Sequence, residues 1–205
     1  MANEESGITI KRGLPRKTNR LGGETSQEIL RAARHVLIEA GAEGFTIDRV
    51  AKEARVTKGA LLYHFNSKRK LLEALTTEYV AHLQAKLDEG KEEARRSIRY
   101  RKDADETVAG FIEWYRSFRK ESAGYTAYGL ALLGLTASNQ ELRAIVSAWY
   151  GNLFNELRNS NCKDALLIIL ALEGLFYLRH FQLDATHDED VEMLLTQLEA
   201  LLQPH

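Results

Sequence analysis

Three hydroxyl residues, Thr46, Thr57 and Ser67, punctuate the run TIDRVAKEARVTKGALLYHFNSKRKLLEAL between Thr46 and Leu75, each standing just ahead of a segment with helically spaced apolar residues. A hydroxyl in that position accepts a hydrogen bond from the free amides of a helix's first turn. Behind Thr46, residues Ile47, Val50, Ala51 and Ala54 fall on one face, and the small Ala51 lets a second helix cross closely. That first helix stops at Arg55-Val56. Behind Thr57, Leu61 and Leu62 turn inward and leave Lys58, Gly59 and Ala60 in an exposed first turn. A Lys there reaches guanine O6 or N7, a glycine admits close approach, and an alanine methyl meets a thymine methyl. The chemistry is hydrogen bonding and apolar contact at base edges, delivered by two short helices and a tight turn that a third helix, opening at Ser67, supports.

The string Thr57-Lys58-Gly59-Ala60-Leu61-Leu62-Tyr63-His64-Phe65-Asn66-Ser67-Lys68, with Ala51 before it and Leu71-Leu72 after it, resembles the DNA-binding domain of the TetR family of bacterial transcriptional regulators over roughly Thr25 to Leu75. The resemblance implies DNA contacts at Thr46, Thr57, Lys58, Gly59, Ala60, Leu62, Tyr63, His64 and Lys68. Of these, Thr46, Tyr63, His64 and Lys68 match positions that meet phosphates. The local alternatives are capping by Thr46 and packing by Tyr63 or Phe65. Two residues depart from the family pattern: Arg55 holds a turn position usually occupied by Gly, and Leu62 stands where an aromatic is often found.

Composition fits a helical protein. Of 205 residues only Pro15 and Pro204 are prolines, so no residue from 16 to 203 carries the strongest helix breaker. Cys162 is the one cysteine, which excludes an intramolecular disulfide framework and suits a reducing compartment. The longest apolar runs, Leu130 to Leu135 and Ala165 to Leu172, are too short for a membrane span, and the N-terminus lacks an apolar signal region. The expected location is the cytoplasm, with no membrane partner. A net charge of −1 hides an asymmetry: residues 1–70 hold 14 Lys/Arg against 8 Asp/Glu, whereas residues 71–205 hold 14 against 21. The basic half is the half expected on phosphates. Lys11, Arg12, Arg16, Lys17 and Arg20 form an aperiodic basic arm that either follows the DNA or is a solubilising tail.

These features predict an all-α chain in three parts: a flexible basic arm over 1–24, a three-helix DNA-binding domain over 25–75, and a larger helical regulatory and dimerisation domain over 76–205. The first helix is expected over Ser26 to Ala40, ended by Gly41, with Phe45 plugging the small core. The helix from Ser67 runs past Leu71, Leu75, Tyr79, Leu83 and Leu87 and fades in the charge-dense stretch Lys86 to Glu106. Further helices follow at Thr107 to Phe118, Tyr125 to Leu135 after a break at Ser122-Ala123-Gly124, Glu141 to Leu157, Lys163 to Leu183, and Asp188 to Leu202.

Most aromatics of the second domain cluster in its middle helices. Half-apolar clusters with a few polar atoms are typical small-molecule sites, although aromatics at helical spacing also build plain core. Phe111, Trp114, Tyr115, Phe118, Tyr128, Trp149 and Phe176 are the candidates for an effector site, which the resemblance places in this domain. Glu113 and Glu173 are isolated acids that would suit a cationic ligand or a surface. The penultimate helix is apolar around more of its circumference than one core contact requires, so it is either sandwiched in a core or buries its second face in a partner, and Gly174 permits a close helix crossing. The resemblance implies that the last two helices form a four-helix bundle with a two-fold mate, a homodimer with Leu175 and Leu194 toward the partner. His180, Asp184, His187 and Asp188 cluster near one helix end, but polar residues ending a helix explain them better than a metal site. Gly22-Gly23 lack the flanking residues of a phosphate loop, and no nucleophile motif stands out, so neither cofactor nor catalytic residues are expected. The expected function is a dimeric regulator of double-stranded operator DNA, most simply a repressor released by a small molecule. The alternative is a helical small-molecule-binding or architectural protein whose basic N-terminal domain serves another interaction.

Overall fold

The computed structural model describes residues 18–118, 123–180, 183 and 187–202, with the backbone alone described at 18–22, 118, 123–126 and 179–180. The described chain is all helical: α1 (Thr18–Gly44), α2 (Ile47–Glu53), α3 (Lys58–Phe65), α4 (Lys68–Arg96), α5 (Glu106–Phe118), α6 (Ala123–Thr136), α7 (Gln140–Arg158), α8 (Ala165–His180) and α9 (Asp188–Leu201). The basic residues Lys11 to Lys17 lie outside the described residues, as does the Arg20 side chain.

α1 begins at Thr18, earlier than the apolar periodicity indicates, and its regular path breaks at Gly41, whose φ of 62° suits a residue without a Cβ. Ile29, Ala33, Val36 and Leu37 of α1 meet Phe45, Val50, Leu61, Leu71 and Leu75 in one core. Phe45 is fully buried, as expected.

α4 is the element that joins the two halves. It starts under α3, passes position 75/76 without interruption, and runs on to Arg96, well beyond the fade expected from its charges. Two features hold this last stretch helical. Ion pairs such as Lys86 with Glu89 (2.9 Å) and Glu92 with Arg96 (3.7 Å) line its exposed side at i, i+3 and i, i+4. On the other side Gly90 and Ala94 are buried against α5, the most extensive helix pairing among the described residues. The crossing is glycine on glycine: a Cβ on Gly90 would overlap the Gly110 carbonyl oxygen and lie 3.1 Å from the Trp114 amide nitrogen, and one on Gly110 would lie 2.8 Å from the Lys91 nitrogen.

α1 and α6 form the second bridge between the halves. At that junction Tyr128 is fully buried, its hydroxyl donates to the Leu75 carbonyl (2.8 Å), and its ring meets Tyr79 edge-on at 5.8 Å. The Arg34 guanidinium, paired with Glu78, lies 5.5 Å from the centre of the same ring. Arg69 of α4 and Glu141 of α7 add an exposed ion pair at 2.9 Å.

Candidate nucleic-acid interface and effector cavity

α2, α3 and α4 are each capped as the sequence requires. The Arg49 amide donates to Thr46 Oγ1 (3.2 Å), the Ala60 amide to Thr57 Oγ1 (3.1 Å), and the Lys70 amide to Ser67 Oγ (3.1 Å). Between α2 and α3 the chain reverses through Arg55, which takes φ 56°, while the Val56 amide returns to the Ala51 carbonyl at 3.0 Å. Arg55 thus adopts the left-handed conformation that a glycine would hold more easily. Val50, Ala51 and Leu61 are buried where the helices cross, and Leu62 is half-buried, so its departure from the family pattern is absorbed by packing.

The outer face of α3 is polar and open. Lys58, Gly59 and Tyr63 are exposed, Ala60 and His64 half so, and Tyr63 retains 83% of its surface. Tyr63 therefore does not pack into the core, although its ring meets that of His64 edge-on at 5.5 Å. Phe65 packs against the core instead. Lys58 Nζ lies 3.0 Å from Asp48 Oδ2, an exposed pair worth little in water that orients the lysine along the α2–α3 edge. Nothing local in the sequence links Asp48 to a lysine on the next helix. Gly59 has no internal reason to be glycine: a Cβ there would meet only Thr57 Oγ1 at 3.9 Å. Lys68, at the start of α4, lies 5.6 Å from the centre of the Phe45 ring, with its charge on the surface.

A second site opens between the middle helices. Its cavity of about 60 Å³ exceeds the roughly 10–15 Å³ needed for one water. From α4 it takes Tyr79, His82 and Leu83, and from α5 Phe111, Trp114 and Tyr115. Leu133 of α6 and Trp149 and Tyr150 of α7 close two sides, and Leu172, Glu173, Phe176 and Tyr177 of α8 close the last. The rings interlock edge-on, Phe111 with Trp114 at 5.1 Å, Trp114 with Trp149 at 6.5 Å and Trp149 with Tyr150 at 5.0 Å. Trp149 Nε1 donates to Gln84 Oε1 (3.0 Å), and the Tyr150 hydroxyl donates to Glu173 Oε2 (3.2 Å). Burial pushes the Glu173 carboxyl up to about 7 and raises the Tyr150 and Tyr177 phenols above their ordinary range.

The structure brings Phe111, Trp114, Tyr115, Trp149 and Phe176 together here. Tyr128 is a correction: its ring and hydroxyl are engaged at the α1–α4–α6 junction, and it does not line the cavity. The Phe118 side chain lies outside the described residues. Tyr79, His82 and Leu83 escape a sequence reading because a stripe on a long helix reads as core, and Tyr150 and Tyr177 because each neighbours a more prominent aromatic. Of the two isolated acids, Glu113 is buried elsewhere, bound by the Tyr100 hydroxyl (2.9 Å) and Arg99 (3.4 Å). The side chains of His180 and Asp184 lie outside the described residues; His187 caps α9, its amide donating to Asp190 Oδ2 at 2.8 Å. Among the described residues no three His, Cys, Asp or Glu side chains are grouped to hold a metal, and no helix is long and apolar enough to cross a membrane.

Comparison with known proteins agrees with both halves of this architecture. The family profile described as bacterial regulatory proteins, tetR family, matches residues 29–75, and that of the tetracyclin repressor-like C-terminal domain matches residues 109–203. The HTH-type transcriptional regulator SrpR of Pseudomonas putida is 40% identical over 62 residues, which span 30% of this chain and 29% of SrpR. The HTH-type regulator TtgW, also of Pseudomonas putida, is 40% identical over 62 residues, spanning 30% of this chain and 46% of TtgW. The matched stretch is thus less than half of either relative. Among solved structures, the regulator SCO7518 from Streptomyces coelicolor superposes with a TM-score of 0.69 at 21% identity, covering 88% of this chain and 99% of its own. The multidrug binding protein EbrR, solved with imidazole, gives 0.63 at 20% identity, covering 88% and 96%. With the capped helix-turn-helix at one end and the matching helical domain at the other, the chain belongs to the TetR family of bacterial transcriptional regulators.

Proposed function

We propose that this regulator is a homodimeric, cytoplasmic repressor that binds double-stranded operator DNA through residues 25–75 and is released from it by a small molecule held in residues 76–205. The observation that carries this reading is the position of Tyr79. It lines the cavity, stands on the helix that supports the reader, and touches Tyr128, which clamps α6 to α4 and lies beside Arg34 of α1. A molecule that displaces Tyr79 acts on contacts that set the tilt of the DNA-binding helices. EbrR, which shares the fold, is a multidrug binding protein solved with imidazole, and this supports a small-molecule effector for this chain as well.

On the DNA side, Lys58, Gly59 and Ala60 read base edges, while Thr46, Thr57, Tyr63, His64 and Lys68 position the helix on phosphates. Leu62 serves packing rather than contact. Two readers spaced for successive major grooves require a two-fold mate. α8 offers the surface for one: Leu166, Leu167, Leu170 and Leu178 are exposed along one side, with Gly174 open between them, and Met193 of α9 is exposed as well. Leu175, expected toward the partner, is instead buried within the protomer, and Leu194 is partly buried against the same core.

The test is a pair of titrations. An operator is first selected from genomic fragments, and a bound effector is then titrated with and without it. Weaker effector binding in the presence of operator is expected, because two ligands that favour opposite states must oppose each other reciprocally. Equal affinity in both would leave a DNA binder and a ligand binder without a switch between them.

A further inference from the structure

The cavity carries chemistry beyond its apolar walls, and the inference here rests on its being the effector site. We propose that its effector is an organic monocation, an ammonium or amidinium on a small aromatic or alkyl body, with its positive group against the Glu173 carboxylate and its body among the indole and phenol rings. Glu173 is the acid of α8's sequence ALLIILALEGLFYLRH, otherwise apolar until its last turn. An acid in such a place must lose hydration, and it is tolerated when a partner restores the lost interactions. Within the protein the restoration is partial. Among the described residues the Tyr150 hydroxyl is the one group that favours its charged form, and no Lys or Arg lies within ion-pair distance. Glu113 shows the contrast, since the protein itself supplies Arg99 and Tyr100 there and the acid does not face the cavity.

The surroundings of Glu173 suit a cation from every side. Trp114 of α5, Trp149 and Tyr150 of α7 and Tyr177 of α8 present rings, whose faces attract positive charge most strongly where water is excluded. The other titratable groups facing the space are His82 and Tyr79 of α4 and Tyr115 of α5, none a fixed cation. The chain from residue 71 onward is acidic, 21 Asp/Glu against 14 Lys/Arg over residues 71–205, which favours the approach of cations and disfavours anions. An anionic effector would meet Glu173 with like charge, and a neutral apolar one would bury the carboxylate further without compensating it. The bound cation would also draw the carboxyl back toward its ionised form, having been pushed up to about 7 by burial.

The chain's two tryptophans, Trp114 and Trp149, both line this cavity, so the intrinsic emission of the full-length protein reports on it directly. The experiment titrates tetramethylammonium, choline and benzyltrimethylammonium against two neutral molecules of matching shape, 3,3-dimethylbutanol for choline and neopentylbenzene for benzyltrimethylammonium. At least one cation is expected to bind at least about tenfold more tightly than its neutral counterpart, equivalent to roughly 1.4 kcal/mol. Glu173→Gln should abolish that preference without weakening the neutral molecule, and Glu173→Asp should keep part of it. Thermal melts of both variants establish that they are folded. A neutral molecule bound as tightly as its cation, a preference that survives in Glu173→Gln, or no binding of any cation into the millimolar range overturns the assignment. A cation that binds through Glu173 yet leaves operator affinity unmoved would support the assignment and sink the release mechanism instead, so the two readings fail separately.

Discussion

Gly59→Ala separates what the protein needs from what its target needs. Inside the protein the added methyl meets only Thr57 Oγ1 at 3.9 Å, an ordinary contact, and the residue lies in the first turn of a capped helix. Replacing glycine by alanine in a helix stabilises by roughly 0.5–1 kcal/mol, with a first-turn position at the low end. The variant should therefore be equally stable or slightly more so in urea denaturation. Against DNA the sign reverses. If α3 lies in the major groove with its first turn at the base edges, a methyl at Gly59 pushes the helix off its contacts. That costs about 1–3 kcal/mol per half-site, comparable to a mismatched base pair and equal to roughly a 5- to 150-fold loss of affinity. Fluorescence anisotropy with labelled operator, at one stated salt concentration, measures it. Unchanged affinity would refute the close approach of Gly59 to DNA, and a destabilised fold would refute the claim that glycine is not required internally.

Gly90→Ala has the opposite logic: the propensity gain of about 1 kcal/mol is outweighed by overlap with the Gly110 backbone, so a net loss of on the order of 1–3 kcal/mol is expected, with a shifted tryptophan emission as α5 moves. Gly151→Ala, where nothing lies within 4 Å, is the control and should not destabilise. Tyr128→Phe removes a buried hydrogen bond to the Leu75 carbonyl and should lower stability by about 1 kcal/mol; it should also shrink the effect of operator on effector affinity, and an unchanged ratio would take Tyr128 off the route between the sites. A carboxyl raised from 4.5 to about 7 binds more protons folded than unfolded, so Glu173 makes stability fall as pH rises through that window. Glu173→Gln should match the parent near pH 4 and exceed it by on the order of 1–3 kcal/mol at pH 8, and parallel pH profiles would contradict the buried-acid reading. Leu170→Glu, on the exposed side of α8, should give folded monomers with weak operator binding by light scattering and anisotropy, and a stable dimer would place the interface elsewhere.

Local chemistry was the most legible part of the sequence. Thr46, Thr57 and Ser67 cap their helices because a hydroxyl and an amide three residues on need no distant partner. Arg55 was readable as a strained turn for the same reason, and the structure gives it positive φ. What escaped was decided by tertiary contact. The charges from Lys86 to Arg96 read as a fading helix because charge density alone does not reveal that Gly90 and Ala94 are covered by α5. Tyr128 and Tyr79 are alike in sequence, each a phenol on the apolar stripe of its helix, yet one seals the junction between the halves and the other faces the cavity; only the position of α1 and α6 distinguishes them. Leu175 looked as available to a partner as Leu170, and the rotation of α8 against α5 and α7 decides which is buried.

The size of the cavity bears on how release would work. At about 60 Å³ it is smaller than the 150 Å³ space that admits benzene in a rigid apolar core, so an effector larger than a few heavy atoms must move its walls. The walls differ in how readily they yield. Tyr79 is held by Tyr128 on one side and by Gly129 behind it, where even a Cβ would lie 2.8 Å from the Tyr79 ring. α8, by contrast, has its far side exposed in the protomer. Moving Tyr79 therefore disturbs α6 and, through Tyr128, the seat of α1, whereas moving Phe176 or Tyr177 shifts α8 and the proposed dimer face. In the proposed dimer either displacement would change the separation of the two readers, and neither would require the effector to touch DNA. Driving a population from 1:99 to 99:1 takes about 5.5 kcal/mol of differential binding. In the proposed dimer two cavities would divide that demand, and pairing the proposed cation with a carboxylate that the protein leaves partly unsatisfied would contribute to it only if Glu173 is less accessible or less well aligned in the DNA-bound state. The prediction that operator weakens effector binding is therefore a statement about Glu173 as well, and the weakening should shrink in Glu173→Gln.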